Sequence, residues 1–169
     1  MNKILSFKQL VQEIKKLKKK DKKIGYCNGN YDLLHPGHAK HFESAKKLCD
    51  VLVVSVASDA FVKKWKDKSR PVFSEKLRAY MVSQLEPVDF VTINTHHNGS
   101  GIKFFNLLKP DYYIRGPDYI NSRAKQYLKE KALAIKAGCA VRYTKDLKLS
   151  AREIIKSIKE NKTYRIKSI

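Results

Sequence analysis

Residues 51–58 read VLVVSVAS, an apolar run interrupted only by small hydroxyl side chains. A stretch this short and uniform suits a strand covered on both faces, as strands inside a parallel sheet are. Parallel neighbours need long crossovers, usually helices, and the chain supplies them. Residues 24–27, 88–93, 112–115 and 140–143 read as four further strands. Helical patterns lie between them. One spans 36–49, with Phe42, Ala45, Leu48 and Cys49 on a single face. Another runs from a Ser74 cap to Leu85, with Leu77, Met81 and Leu85 inward. Residues 102–108 form a short helix stopped by Pro110, and 123–137 a longer one closed by Gly138. Phe7, Leu10, Val11, Ile14 and Leu17 give an amphipathic first helix. A last helix opens at Ser150, where Ser150 and Glu153 have capping-box spacing. The lysine-rich stretch that ends at Arg70-Pro71 reads as a loop. The expected fold is a doubly wound, Rossmann-like α/β domain with a five-stranded parallel sheet. Ligands of such sheets bind at the carboxyl ends of strands, near a switch in strand order.

Length and charge bound the rest. The 169 residues are expected to form one domain, 1–169, with the amphipathic helix in 1–23 and a helix with a basic tail in 150–169. Hydrophobic residues at 43% suffice for a core. Lys+Arg 36 against Asp+Glu 16 gives a formal charge of +20, which favours polyanionic partners such as nucleic acid, anionic lipid or phosphorylated metabolites. The lysines of 15–23, broken only by Leu17 and Asp21, suit the negative end of the first helix as a solvated cap. No aromatic-interleaved basic stripe points to nucleic acid. Cys27, Cys49 and Cys139 are too scattered for a disulfide framework or a zinc spacing, which points to a reducing compartment. No run nears the ~18 apolar residues of a membrane span, and no signal-peptide pattern opens the chain. A cytoplasmic protein without a membrane partner is expected.

The first strand runs into Asn28-Gly29-Asn30-Tyr31-Asp32-Leu33-Leu34-His35-Pro36-Gly37-His38. Pro36 suits a first helical position, and Gly37 removes bulk from the same turn. His35 and His38, three residues apart, then sit together at a helix N-terminus, where free N–H groups attract anions. Such a pair can cradle a phosphate or stabilise charge on a transferring phosphoryl group. The same residues also suit a plain capped helix start. A zinc site from His35, His38 and His41 lacks a completing Cys or carboxylate nearby, so no resident metal is expected.

N-G-N-Y-D-L-L-H-P-G-H resembles the nucleotide-binding signature of the cytidylyltransferase-like nucleotidyltransferases, G-x-F-D-x-x-H-x-G-H in the same strand–loop–helix context. A-S-D-A-F at 57–61, S-R-P-V at 69–72, E-K-L-R at 75–78, L-E-P-V-D at 85–89 and K-P-D-Y-Y-I-R-G-P-D-Y at 109–119 follow in the family's order. The chain is most similar to the adenylyltransferase domain of bifunctional heptose-phosphate kinase/adenylyltransferases. Glycerol-3-phosphate cytidylyltransferases are similar but more distant.

The resemblance implies transfer of a nucleoside monophosphate from ATP or CTP to a sugar phosphate such as heptose 1-phosphate, with release of pyrophosphate, for cell-envelope polysaccharide precursors. Glycerol 3-phosphate or another polyol phosphate is the alternative acceptor. It implies Mg2+ held mainly by triphosphate oxygens, and a separate sugar kinase, since the relatives' kinase domain does not appear in these residues. Homodimers are common among similar proteins. His35, His38 and Lys64 are the implied catalytic residues. Gly29, Asn30, Tyr31, Arg115, Gly116, Asp118 and Ser150 would join the two histidines in binding nucleotide. Lys64, Lys66, Arg78 and His97 would bind substrate, with Lys68 and His96 as neighbouring candidates. Asp32 and Asp118 also suit structural roles, holding the Gly29 and Gly116 loops. Two departures from the family's pattern stand out. Pro117 replaces a glycine in the loop after the fourth strand, and Ser150-Ala151-Arg152 replaces a Ser/Thr-rich triplet. Two readings of other classes stay in view: a non-catalytic polyanion binder, and a fragment of a class I aminoacyl-tRNA synthetase. The latter needs a larger chain and a Lys-Met-Ser-Lys-Ser motif that these residues lack.

Overall fold

The structure, a computed structural model, describes residues 2–65, 70–95, 102–146 and 149–163. Strands β1 (Ile24–Gly29), β2 (Val51–Ala57), β3 (Phe90–Asn94), β4 (Tyr112–Arg115) and β5 (Ala140–Tyr143) form one parallel sheet in the order β3-β2-β1-β4-β5. Ile24 lies opposite Val51, and Tyr26 opposite both Val53 and Tyr113. The helices are α1 (Phe7–Lys18), α2 (Pro36–Lys46), α3 (Asp59–Trp65), α4 (Glu75–Ser83), α5 (Ile102–Leu108), α6 (Lys125–Lys136) and α7 (Ala151–Lys159).

Successive strand residues point to opposite faces, and each face has its own apolar layer. On one, Tyr26, Val53 and Tyr113 pack with Leu10 and Ile14 of α1, Phe104 and Phe105 of α5, and Tyr127 of α6. On the other, Cys27, Leu52, Val54 and Ile114 pack with Phe42 and Ala45 of α2 and Ala79 and Val82 of α4. The apolar run at 51–58 thus reads as it does because both faces of β2 are covered. At the opposite edge of the sheet from the cleft described below, carboxylates satisfy the N–H groups where strands begin. Asp50 accepts from Lys23, Asp111 from Ile24 and Asp89 from Leu52, at 2.7, 2.9 and 2.6 Å.

The structure departs from the sequence reading in three places. Residues 59–65 are helix, not loop. Ser58 Oγ accepts the Phe61 N–H, and Val62 is buried, so a polar cap with a single inward apolar residue was too faint a periodic signal. Helix α4 is capped by Ser74 as expected, but it turns a different face inward. Leu77 is 53% exposed, while Arg78, Ala79 and Val82 are buried. An arginine with partners for its whole head group occupies the position that hydrophobic patterning assigns to an apolar residue. Helix α2 stops at Lys46 and leaves Leu48 exposed. Among the described residues, no helix is long and apolar enough to cross a membrane. The three cysteines are free thiols.

Candidate active site

After β1 the chain builds outward through β2 to β3, then returns to lay β4 on the other side of β1. Loops leaving the ends of β1 and β4 therefore diverge, and a cleft of about 970 Å³ opens between them. Asn28–Asp32, the start of α2, the Arg115–Tyr119 segment, Arg70 and Val72, and the first turns of α7 line it.

The β1–α2 loop is tightly constrained. Tyr31 takes a left-handed backbone with φ 49° and buries its ring edge-on to His38, centroids 5.3 Å apart. That ring lies where a Cβ on Gly29 would be, only 2.7 Å away. Pro36 opens α2, and His35 is its N-cap without using its side chain as a cap. The imidazoles of His35 and His38 stack at 3.7 Å with an 18° interplanar angle. Gly37 passes between the His35 ring and Leu149. A Cβ there would stand 3.1 Å from His35 Nδ1 and 3.0 Å from Leu149 Cβ.

Burial pushes the His38 pKa down to about 3, and the neighbouring His35 and His41 act in the same direction. Burial also lowers His35. It brings His41 to about 4, where Nδ1 meets Thr144 Oγ1 at 2.9 Å and Nε2 meets the Cys27 thiol at 3.5 Å. Both stacked rings are therefore neutral near pH 7. An anion placed beside them opposes the cause of the lowering and favours their protonation.

Four side-chain nitrogens that border the cleft are buried without a hydrogen-bond partner: His35 Nδ1, His38 Nδ1, Arg70 Nη1 and Arg115 Nε. Orphaned polar atoms are rare in folded proteins and call for an explanation. Arg115 lies 3.6 Å over the Tyr119 ring and donates from Nη1 to the Asn28 carbonyl at 2.8 Å and to Asn28 Oδ1. Beneath it, Glu130 accepts from Tyr113 Oη at 2.7 Å and from Asn28 Nδ2 at 3.4 Å, so a buried carboxylate steadies the strand ends that carry the arginine.

The structure brings Gly29, Asn30, Tyr31, His35, His38, Arg115, Gly116, Asp118 and Ser150 to one cleft. Pro117 opens a 3₁₀ turn, Pro117–Tyr119, with Gly116 as its N-cap. Ser150 caps α7 by accepting the Arg152 N–H at 3.2 Å, one residue earlier than a capping box with Glu153 requires. Arg78, expected to meet a phosphate, is fully buried. Its Nε donates to the Phe73 carbonyl, Nη1 to the Asn30 carbonyl and Nη2 to Asp59, so it ties α4 to the β1 loop. Asp32 braces a different loop from the one expected. It accepts the N–H groups of Val72 and Phe73 at 2.7 and 3.1 Å and pairs with Arg70 Nε at 2.9 Å. Lys64, near the end of α3, is exposed and is not among the described residues lining the cleft. Lys66, Lys68, His96 and His97 lie outside the described residues. Sequence reasoning passed over Arg70 and Asp146 as site residues. S-R-P-V was visible as a motif, but nothing in its spacing places the arginine in the cleft. Among the described residues, no three His, Cys, Asp or Glu side chains are placed to hold a metal ion.

A family model for cytidylyltransferase-like proteins matches residues 26–168. The chain belongs to the cytidylyltransferase-like family of nucleotidyltransferases. "Bifunctional protein HldE" of Helicobacter pylori strain ATCC 700392 / 26695 is 38% identical over 133 residues, 78% of this chain and 27% of that protein. The protein of the same name from Campylobacter jejuni subsp. doylei is 48% identical over 103 residues, 61% of this chain and 22% of that one. The chain thus spans about a quarter of the length of these curated relatives. Among solved structures, a lipopolysaccharide core biosynthesis protein from Thermoplasma volcanium GSS1 superposes with a TM-score of 0.62 at 28% identity, covering 75% of this chain and 99% of that one.

Proposed function

We propose that this chain transfers a nucleoside monophosphate from ATP or CTP to a sugar phosphate, a heptose 1-phosphate in the first instance, and releases pyrophosphate. The observation that carries this reading is the convergence of four buried, unpartnered nitrogens on one cleft at the switch point of the sheet. A triphosphate and an acceptor's phosphate together offer oxygens enough for all four.

An oxygen of the acceptor's phosphate attacks the α-phosphorus. A new P–O bond forms as the bond from the α-phosphorus to the bridging oxygen breaks, and pyrophosphate carries off the electron pair. The attacking phosphate is ionised at neutral pH, so no general base is required. The protein's work is to position the two phosphates and neutralise charge. His35 and His38 face the triphosphate from the start of α2, with Asn30 and Tyr31 beside them. Arg115, Gly116, Asp118 and Ser150 border the nucleoside side. Magnesium entering on phosphate oxygens supplies further charge neutralisation when bound. Asp146 is the side chain that would hold it, since its Oδ2 is buried at the cleft without a hydrogen-bond partner while Oδ1 accepts from Ser44. A sugar kinase activity would have to make the acceptor.

Pyrophosphate release tests the reading. With each of ATP and CTP, release should depend on an added phosphorylated acceptor drawn from heptose 1-phosphate, glycerol 3-phosphate and related monoesters. Failure of every nucleotide–acceptor pair, with well-folded protein and magnesium present, contradicts it.

A further inference from the structure

Two arginines lie close together in the chain, and their environments are opposite. Arg78 is enclosed, with each guanidinium nitrogen already donating to protein. Arg70 borders the cleft. Asp32 Oδ2 faces its Nε at 2.9 Å as an ion pair without an aligned hydrogen bond, and its Nη1 is buried with no hydrogen-bond partner. Its side chain is only 17% exposed, so bulk water does little to satisfy that nitrogen. The carboxylate that orients it is itself fixed by two backbone N–H groups of the same loop, at Val72 and Phe73. The guanidinium is thus aimed before any ligand arrives, which lowers the ordering cost of binding.

We propose that Arg70 is the anchor for the acceptor's phosphate, with Asp32 as its positioning residue. This rests on the nucleotidyltransferase reading above. Placement argues for the acceptor over the triphosphate. Arg70 follows α3 and so enters the cleft from the β2 side of β1, whereas Arg115, Gly116 and Asp118 enter from β4 on the other side. The stacked histidines of the β1–α2 connection stand with the strand between the two. A phosphomonoester on the β2 side can present one oxygen to the α-phosphorus and another to Arg70. Guanidinium suits this task because its planar fork can grip a phosphate while another edge pairs with a carboxylate. Val72, two residues on from the anchor and exposed, also lines the cleft and gives it apolar surface that a sugar ring can cover.

The experiment separates nucleotide from acceptor. Calorimetry gives the dissociation constants of ATP and CTP for wild type, R70Q and R70K. The same proteins, saturated with the better nucleotide in its non-hydrolysable α,β-methylene form and magnesium, are then titrated with heptose 1-phosphate, glycerol 3-phosphate and inorganic phosphate. R70Q keeps a donor for Asp32 and guards against misfolding, which melting temperature checks. The expected result is nucleotide binding within about twofold of wild type for both variants. Binding of the best phosphate compound should be at least tenfold weaker in R70Q and intermediate in R70K. An equal loss for nucleotide and acceptor overturns the assignment and moves Arg70 to the triphosphate. Unchanged acceptor binding in folded R70Q overturns it too, as does a nucleotide-loaded wild type that takes none of the three phosphate compounds. Absence of nucleotide binding in wild type is a different outcome, the failure of the underlying reading.

Discussion

The cleft wall formed by β1 and the start of α2 grows directly out of the core. Tyr31 is buried against Phe42, His38 packs on Tyr31, and Arg78 clamps the Asn30 carbonyl from below. The facing wall, helix α7, has no buried residue, and its Ile158 is 67% exposed. The two walls therefore divide the work. Groups on the first are set before ligand arrives, as electrostatic stabilisation of a charged transition state requires. The second belongs to the part of a fold that opens most easily, because few apolar contacts hold it. Arg152 and Lys159 can meet a ligand from there without having built the site.

Four perturbations sharpen or break this contrast. The largest effect should come from Arg78→Met, which strips the clamp from the first wall and leaves Asp59 without its partner. A loss of about 3–5 kcal/mol in urea unfolding is expected, because the Phe73 and Asn30 carbonyls and the partly exposed Asp59 all lose their donor, at about 1–3 kcal/mol for each group left unsatisfied. A loss below about 1 kcal/mol would mean that the first wall stands without the clamp. Next, His38→Ala should cost roughly 2–4 kcal/mol of transition-state stabilisation in kcat/KM, comparable to losing an oxyanion donor, with folding nearly unchanged. Turnover near wild type in that variant would remove His38 from the chemistry.

A smaller effect concerns pH. His38 and His41 titrate near 3 and 4 when folded, against about 6.5 when unfolded. Below 6.5 the unfolded chain binds the extra protons. The contribution of each ring is thus fully present above that value and lost as pH falls toward the folded pKa. Between pH 7 and 5, about 1–2 kcal/mol per ring should disappear, within the ~1.4 kcal/mol per pH unit that one group allows. The His38→Asn/His41→Asn double variant should show a correspondingly flatter profile, and an identical slope would contradict neutral burial. The smallest effect is expected on the second wall. Ser150→Ala removes the cap of α7 and should cost about 1 kcal/mol. That cost should appear as faster amide exchange confined to α7, leaving β1 and α2 as they were. Spread of the effect into α2 would show that the walls are one cooperative unit.

Much of this fold is legible in the sequence because its strands announce themselves. The apolar run of β2 and the turn signals around β4 and β5 survive without tertiary information. The cradle was equally visible, since Pro36, Gly37 and the His35/His38 spacing are local features of one helix start. What escaped depends on contacts made at a distance in the chain. Leu77 looks like a core residue and Arg78 like a surface one, until Asn30, Asp59 and Phe73 are brought around the guanidinium. Asp32 sits within the signature, yet its partners lie about forty residues on, at 70–73. No periodicity encodes such pairs, so the roles of Arg78 and Arg70 become readable only in the fold.

The account stands or falls on nucleotide binding at the β1–α2 wall. The most direct measurement is thermal stabilisation by ATP, CTP, GTP and UTP, each with and without magnesium. A nucleotide at about 100 times its dissociation constant stabilises the folded state by about 2.7 kcal/mol. The account predicts a shift of that size with ATP or CTP, carried by wild type and reduced in His38→Ala. No shift with any of the four, alone or together with the phosphorylated acceptors, would contradict it.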